Sequence, residues 1–361
     1  MKPFKTLRNV KPICFVNDWI IMNKSSSFTV LDAHSEEIIK KIKIPIPYIK
    51  RLLFIFKPTR RLFRLGAING IFSMNKVFIT IDKKIFSLTI DDFKLREEHI
   101  FKKGNGPLYL KNIERVRNFK DGLYFGDYFG NNSKEPINIT RRNHDGTFEI
   151  VYTFPKGQIN HIHNLIPDNF NDCVWILAGD FGEAAGIWQA KDNFKSVKKV
   201  LTGSQQYRSC IAFPTKDGLI YPTDSQFEQN YIRILKYEND TYVSKPIQKI
   251  NGSVIYGCSI GEKIIFSTST EPSISNNNKF LHWLERKPGS GINKNESHLV
   301  LGTLKDGFKI IDIKKKDLLP YRLFQFGTIM FPSGINPTNK LFSYSVANIK
   351  NDLHTEIRVL Q

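Results

Sequence analysis

Two histidines, two aspartates and an arginine carry the residue types from which a reactive centre could be built. His161 and His163 are two positions apart. On a strand that spacing turns both rings to one face, where a pair of imidazoles can bind a divalent metal or divide acid–base work. Gln158, just upstream, would complete a metal set with His161 and His163, and Asp180 and His99 are the other candidates for a third ligand. Asp180 opens the stretch Gly179-Asp180-Phe181-Gly182-Glu183, and Asp224 opens another that ends in Glu228-Gln229-Asn230. Two carboxylates across a cleft can run glycoside hydrolysis as acid and base or nucleophile. Each group also has an ordinary structural use, because histidines bond to neighbouring carboxylates and turn aspartates cap their own loops.

Arg208 follows Gly203-Ser204-Gln205-Gln206-Tyr207. Its planar fork suits a substrate carboxylate, and with Arg117 it would clamp a uronate. An ion pair between neighbouring elements would use Arg208 equally well. Tyr128, Trp175 and Trp188 could stack on sugar rings, although large aromatics on strands also serve as core.

Such distant residues meet only if the chain repeats a unit around a common centre. Four short apolar runs do repeat: Gly122 to Asp127, Val174 to Asp180, Gly218 to Asp224 and Lys263 to Thr270. Each is preceded by a turn signal and, before that, by a strand-like stretch: Glu114 to Phe119, Asn160 to Ile166, Tyr207 to Phe213 and Val254 to Ser259. A spacing of about 40 to 50 residues is that of propeller blades. Weaker copies lie at Cys14 to Ile44 and Gly70 to Leu88; Leu299 to Ile313 extends the Lys263 unit, and Phe324 to Leu360 supplies the last. The expected fold is all-β, a β-propeller of seven blades with six as the alternative, in one domain over 1–361.

That alignment gathers a polar set. His161, His163, Asp180 and Asp224 are the expected catalytic residues. Arg117, Asp127, Tyr128, Glu183, Gln205, Arg208, Glu228, Asn230, Tyr256 and Glu271 are the expected substrate contacts. Gln158, His161 and His163 are the expected metal ligands.

Two stretches depart from the repeat. The segment at about 45–65 is apolar and basic, with Lys50, Arg51, Lys57, Arg60, Arg61 and Arg64 and no acid. It reads as a short helix packed on the propeller flank, or as one that touches anionic lipid through 48–64. Pro45, Pro47 and Pro58 limit any helix there to about two or three turns. The stretch 273–297, rich in Asn, Ser, Lys and Gly, reads as a surface loop.

The formal charge is +19, from 53 basic and 34 acidic residues among 361. Such an excess attracts polyanions. No basic groove motif with stacking aromatics points to nucleic acid. Cys14, Cys173, Cys210 and Cys258 lack metal-pair spacing and read as buried thiols. The charged N-terminus has no apolar run after it, so a cytoplasmic monomer is expected.

Degenerate Asp-box-like turns stand at Asn143-His144-Asp145-Gly146-Thr147-Phe148 and Ala190 to Phe194. With Tyr124 to Asn131, His161-Ile162-His163, Gly203-Ser204-Gln205 and Phe324 to Gly327, they make the chain resemble sialidase-superfamily (BNR-repeat) propellers, more closely a bacterial group of uncharacterised ones. The Gln158, His161, His163 spacing is similar to the metal strand of oligogalacturonate lyase propellers. These resemblances imply a propeller acting on an acidic oligo- or polysaccharide, as glycoside hydrolase or polysaccharide lyase. The alternative is a non-catalytic propeller that binds a glycan or a partner protein.

Overall fold

The computed structural model describes residues 1–273 and 279–360, with the side chains of Lys279 and Phe280 left aside. Among these residues the strands form seven antiparallel four-stranded sheets, a seven-bladed β-propeller. Blade 1 runs from Lys11 to Lys43, blade 2 from Asn69 to Ile100 and blade 3 from Lys111 to Phe154. Blade 4 spans Ile162 to Thr202, blade 5 Phe213 to Ile250 and blade 6 Val254 to Lys315. In each of these six, the strands neighbour one another in chain order. The seventh blade mixes chain ends: Lys5–Arg8 pairs with His354–Val359, followed by Lys340–Val346 and Thr328–Met330. That N-terminal strand carries no repeat signal in the sequence.

The chain divides into two compact units. The first holds blades 1, 6 and 7; the second holds blades 2 to 5. In the second unit, Cys173–Ala178 of blade 4 is buried at every position. A strand covered on both faces reads as a continuous apolar run rather than an alternation. One face packs Val174 and Ile176 with Tyr124, Ile139 and Phe154 of blade 3. The other packs Trp175 and Leu177 with Leu219 and Tyr221 of blade 5. In the first unit, Phe15 of blade 1 meets Phe342 of blade 7 edge-on, with centroids 5.8 Å apart.

Two expected strands are corrected. Glu114 to Phe119 is a turn, because Arg115 and Asn118 take left-handed backbone angles (φ 58° and 63°) and Asp121 accepts the Arg115 N–H. The true first strand of blade 3 is Lys111–Ile113. Tyr207 to Phe213 is mostly irregular: a 3-10 turn at Gln205–Tyr207 precedes it, and the strand is Phe213–Thr215. Both Asp-box-like turns fall on hairpins between the third and fourth strands of their blades.

The basic segment forms two helices, α1 (Tyr48–Leu53) and α2 (Lys57–Leu62). Pro47 precedes α1 and Pro58 sits in the first turn of α2, where a missing N–H costs no helical bond. The expected loop at 273–297 is corrected in part. It contains helix α3 (Lys279–Trp283), and its last residues begin the strand Glu296–Thr303. Its residues 274–278 lie outside the described set. Helix α4 (Tyr321–Phe324) follows blade 6.

Candidate functional site

The site is built in the second unit, at the chain reversals of blades 4 and 5. His161 and His163 stand at the start of the first strand of blade 4. Ile162 pairs with Ala178 and Asn164 with Leu177, so His163 is the extra residue of a bulge. A bulge re-aims a side chain and increases the local twist. The same shift occurs at Ile13 in blade 1 and Ile255 in blade 6. Blade 4 places an imidazole where those blades place isoleucine.

The rings are oriented by the backbone. His161 Nδ1 lies 3.1 Å from the Phe129 carbonyl, and His163 Nδ1 lies 3.0 Å from the Ser209 carbonyl. A carbonyl only accepts, so both Nδ1 atoms carry hydrogen. The two Nε2 atoms then face each other at 3.0 Å. Asp180 Oδ1 lies 3.3 Å from His161 Nε2 and 3.4 Å from His163 Nε2. Three electron-pair donors thus converge on one point.

Asp180 is delivered by a loop that needs glycine. Gly179 has φ +75°, and a Cβ there would sit 1.7 Å from the Ala184 carbonyl oxygen. Gln205 Nε2 donates to the Asp180 carbonyl at 2.7 Å. Burial opposes ionisation of Asp180, but the two adjacent histidines and the charge of Arg208 prevail, holding its carboxyl far below the usual carboxylate range.

Arg208 links the acids. Its Nη2 lies 3.2 Å from Asp180 Oδ1, its Nε lies 3.3 Å from Asp224 Oδ2, and its plane sits 5.3 Å over the Phe181 ring. Ser204 caps the turn before it by accepting from the Gln206 N–H. Asp224 Oδ2 also lies 3.2 Å from Cys210 Sγ. Asp224 Oδ1 is buried without a hydrogen-bond partner among the described residues. Asn230 closes the Asp224 loop through Ser225 and Thr223.

The charges do not balance from within. Two carboxylates face one guanidinium, and Asp224 is 2 % exposed. Uncompensated buried charge is costly, and a cation at the histidine pair would offset it. Donors about 2.1 Å from one metal stand roughly 3.0 Å apart at right angles and 3.4 Å apart at tetrahedral angles. The observed 3.0, 3.3 and 3.4 Å span that range. Two imidazoles and one carboxylate form the facial set of divalent transition-metal sites. His163, Cys210 and Asp224 make a second, overlapping group of the same kind.

The expected residues divide as follows. His161, His163, Asp180, Arg208 and Asp224 come together. Tyr128 lies against His161 with ring centroids 4.5 Å apart and planes tilted by 56°, and Gln205 braces the Asp180 loop. Glu183 is exposed and reaches Thr202 Oγ1 at 3.3 Å. Asn230 is structural. Asp127 accepts the Asn138 N–H at 3.0 Å, and burial pushes its carboxyl up. Gln158 is corrected as a ligand: it is exposed on the turn after Phe154, and Asp180 supplies the third donor. His99 packs among Phe101, Phe125 and Phe148 instead. Arg117 is corrected too. It is exposed in the hairpin turn at the Gly122 end of the strand Gly122–Gly126, roughly 16 Å of strand from the Asp127 end. Glu228, Tyr256 and Glu271 belong to the first unit.

Sequence reasoning missed Cys210, Ser209, Phe129 and Phe181. The two carbonyls leave no trace in side-chain pattern. Cys210 lies on the irregular stretch between the Gln205–Tyr207 turn and the strand Phe213–Thr215, where no strand parity announces it.

No family model matches the chain, and no curated protein matches it. Solved structures do. The β-propeller domain of Myceliophteria thermophila Cps50 (Swd1) superposes with a TM-score of 0.57 at 9 % identity, covering 99 % of each chain. The AfRom2 CNH domain gives 0.53 at 6 % identity, covering 100 % of this chain and 98 % of that one. These likenesses concern the fold alone.

Proposed function

We propose that the protein is a ligand-binding propeller. His161, His163 and Asp180 hold a divalent cation, and an anionic group of an acidic saccharide docks beside it and Arg208. The observation that supports this reading is the convergence of two Nδ1-protonated imidazoles and one carboxylate at 3.0 to 3.4 Å. A cation there would neutralise a substrate carboxylate and polarise it. Binding is preferred to hydrolysis because Asp224, the second carboxylate that a hydrolase would need facing its substrate, is sealed behind Arg208.

The second reading is a polysaccharide lyase at the same cluster. It is favoured by Asp180, whose side chain keeps 27 % of its surface exposed beside the buried histidines.

The test is calorimetric titration of chelator-treated protein with Mn²⁺ and Zn²⁺. Titration with oligogalacturonate and sialylated oligosaccharides follows, with and without metal. One cation per chain, and saccharide binding lost in chelator, is the expected result. Formation of an unsaturated, ultraviolet-absorbing product would select the lyase reading. No cation binding by the native protein, with none lost on substituting His163, would overturn both.

A further inference from the structure

Helices α1 and α2 of the first unit invert the usual arrangement of side chains. Helix α1 buries none of its residues, and the buried residue of α2 is Arg61. Ile49 is 74 % exposed, Ile55 64 %, Phe56 63 % and Phe63 55 %. A helix that merely packed on the flank of a blade would turn such residues inward. Here the structure forbids it. Arg61 forms ion pairs with Asp317 and, at 3.5 Å, with Asp352, and donates from Nε to the Phe324 carbonyl at 2.8 Å. That buried charge fixes α2 against α4. Thr59 Oγ1 donates to the Leu53 carbonyl at 2.5 Å and ties α1 to α2. These contacts hold the apolar residues outward.

The charge around them has one sign. Residues 45–64 contain no acid. Exposed Arg51, Lys57 and Arg64 donate to the carbonyls of Ile46, Asp352 and Arg322. A carbonyl has no net charge, so these bonds orient Arg51 and Arg64 without neutralising them, while Lys57 also feels the Asp352 carboxylate. The preceding edge strand Ile38–Lys43 leads into the helices and exposes two isoleucines and three lysines. Aromatic and aliphatic side chains interleaved with cations match the interface of an anionic bilayer. There the apolar groups enter the acyl boundary while the cationic heads stay among the phosphates. A nucleic-acid surface would satisfy the cations alone, and a protein surface would need an acidic, apolar patch matched to both.

We infer that the α1–α2 segment docks the protein on anionic lipid membranes. Among the described residues no helix is long and apolar enough to cross a bilayer, so the contact would be peripheral.

The full chain would be sedimented with vesicles of phosphatidylcholine containing 30 mole per cent, on the order of a strongly anionic leaflet, of phosphatidylserine, and with phosphatidylcholine alone. Each cation at an anionic surface contributes about fivefold in partitioning, so at least about tenfold tighter binding to the anionic vesicles is expected, weakening with salt. The double variant Ile49→Ser with Phe56→Ser should lose about tenfold or more on the same vesicles while keeping its melting temperature, since both side chains face solvent. Absence of binding, equal binding to neutral vesicles or indifference to the double variant would overturn the inference. So would a dimer in solution that the double variant dissolves while the native chain ignores vesicles, which would make the face a self-association surface.

Discussion

His161 and His163 face each other Nε2 to Nε2 at 3.0 Å while each presents its other ring nitrogen to a backbone carbonyl. Both tautomers are thereby set by the backbone, and the two remaining lone pairs point at one place. A proton can satisfy one edge of the triangle they form with Asp180 Oδ1. A cation satisfies all three.

Asp180→Asn keeps the shape of the side chain and removes its charge. Cation affinity should fall by at least about tenfold, the lower end of what even supporting partners of a metal ligand contribute. Calorimetric titration with Mn²⁺ checks it, and unchanged affinity would remove Asp180 from the set.

Asp224→Ala leaves the Arg208 guanidinium without its buried partner and Cys210 without its acceptor. Breaking a buried pair from one side costs about 3 to 5 kcal/mol. Chemical denaturation should show a loss of that size. A loss below about 1 kcal/mol, the level of a surface pair, would mean that Asp224 does not compensate Arg208.

Gly179→Ala meets two obstacles, a left-handed backbone angle and the Ala184 carbonyl at 1.7 Å. The loop must move, and Asp180 with it. Stability should drop by about 1 to 3 kcal/mol from backbone strain alone, and cation binding should weaken in parallel. Wild-type binding by a folded Gly179→Ala protein would show that the loop does not position Asp180.

The first unit carries an acid-sensitive network. Burial opposes ionisation of Glu356, but the hydrogen bond from Lys314 and the charge of Arg358 outweigh it, so its carboxyl lies below the ordinary 4.5. Asp317, bonded to Arg61 and Lys316 against a similar burial cost, is also lowered. A carboxyl depressed in the folded state stabilises fully above its unfolded value and loses that contribution as pH falls through the folded one. The melting temperature should therefore fall as pH drops below about 4.5. Glu356→Gln should flatten this acid limb and lower stability at neutral pH by about 3 kcal/mol, because Lys314 and Arg358 stay buried. A melting curve whose acid limb is unchanged in the variant would rule Glu356 out as its source.

Much of the fold was legible without coordinates. The apolar runs ending at Asp127, Asp180 and Asp224 have the length and turn punctuation of strands, and their spacing sets blade size. That spacing exists because each blade must cover the next. The blade containing Lys5–Arg8 was only half legible, since its first-chain strand pairs with a partner more than 300 positions away. The readings at Glu114 to Phe119 and Tyr207 to Phe213 failed where left-handed residues and a 3-10 turn overrode strand-like composition.

For the site, the sequence determined which side chains were available and that His161 and His163 share a parity. It also marked the glycine-framed Asp180 loop and the one-signed charge of residues 45–64. Tertiary structure alone decided that Asp180 and not Gln158 joins the histidines, that Arg117 lies in a turn at the far end of the strand Gly122–Gly126 and that Cys210 belongs to the group. The reason is physical. Parity and composition act over one or two residues, whereas the carbonyls of Phe129 and Ser209 that orient the rings arrive from blades whose register is fixed only by packing.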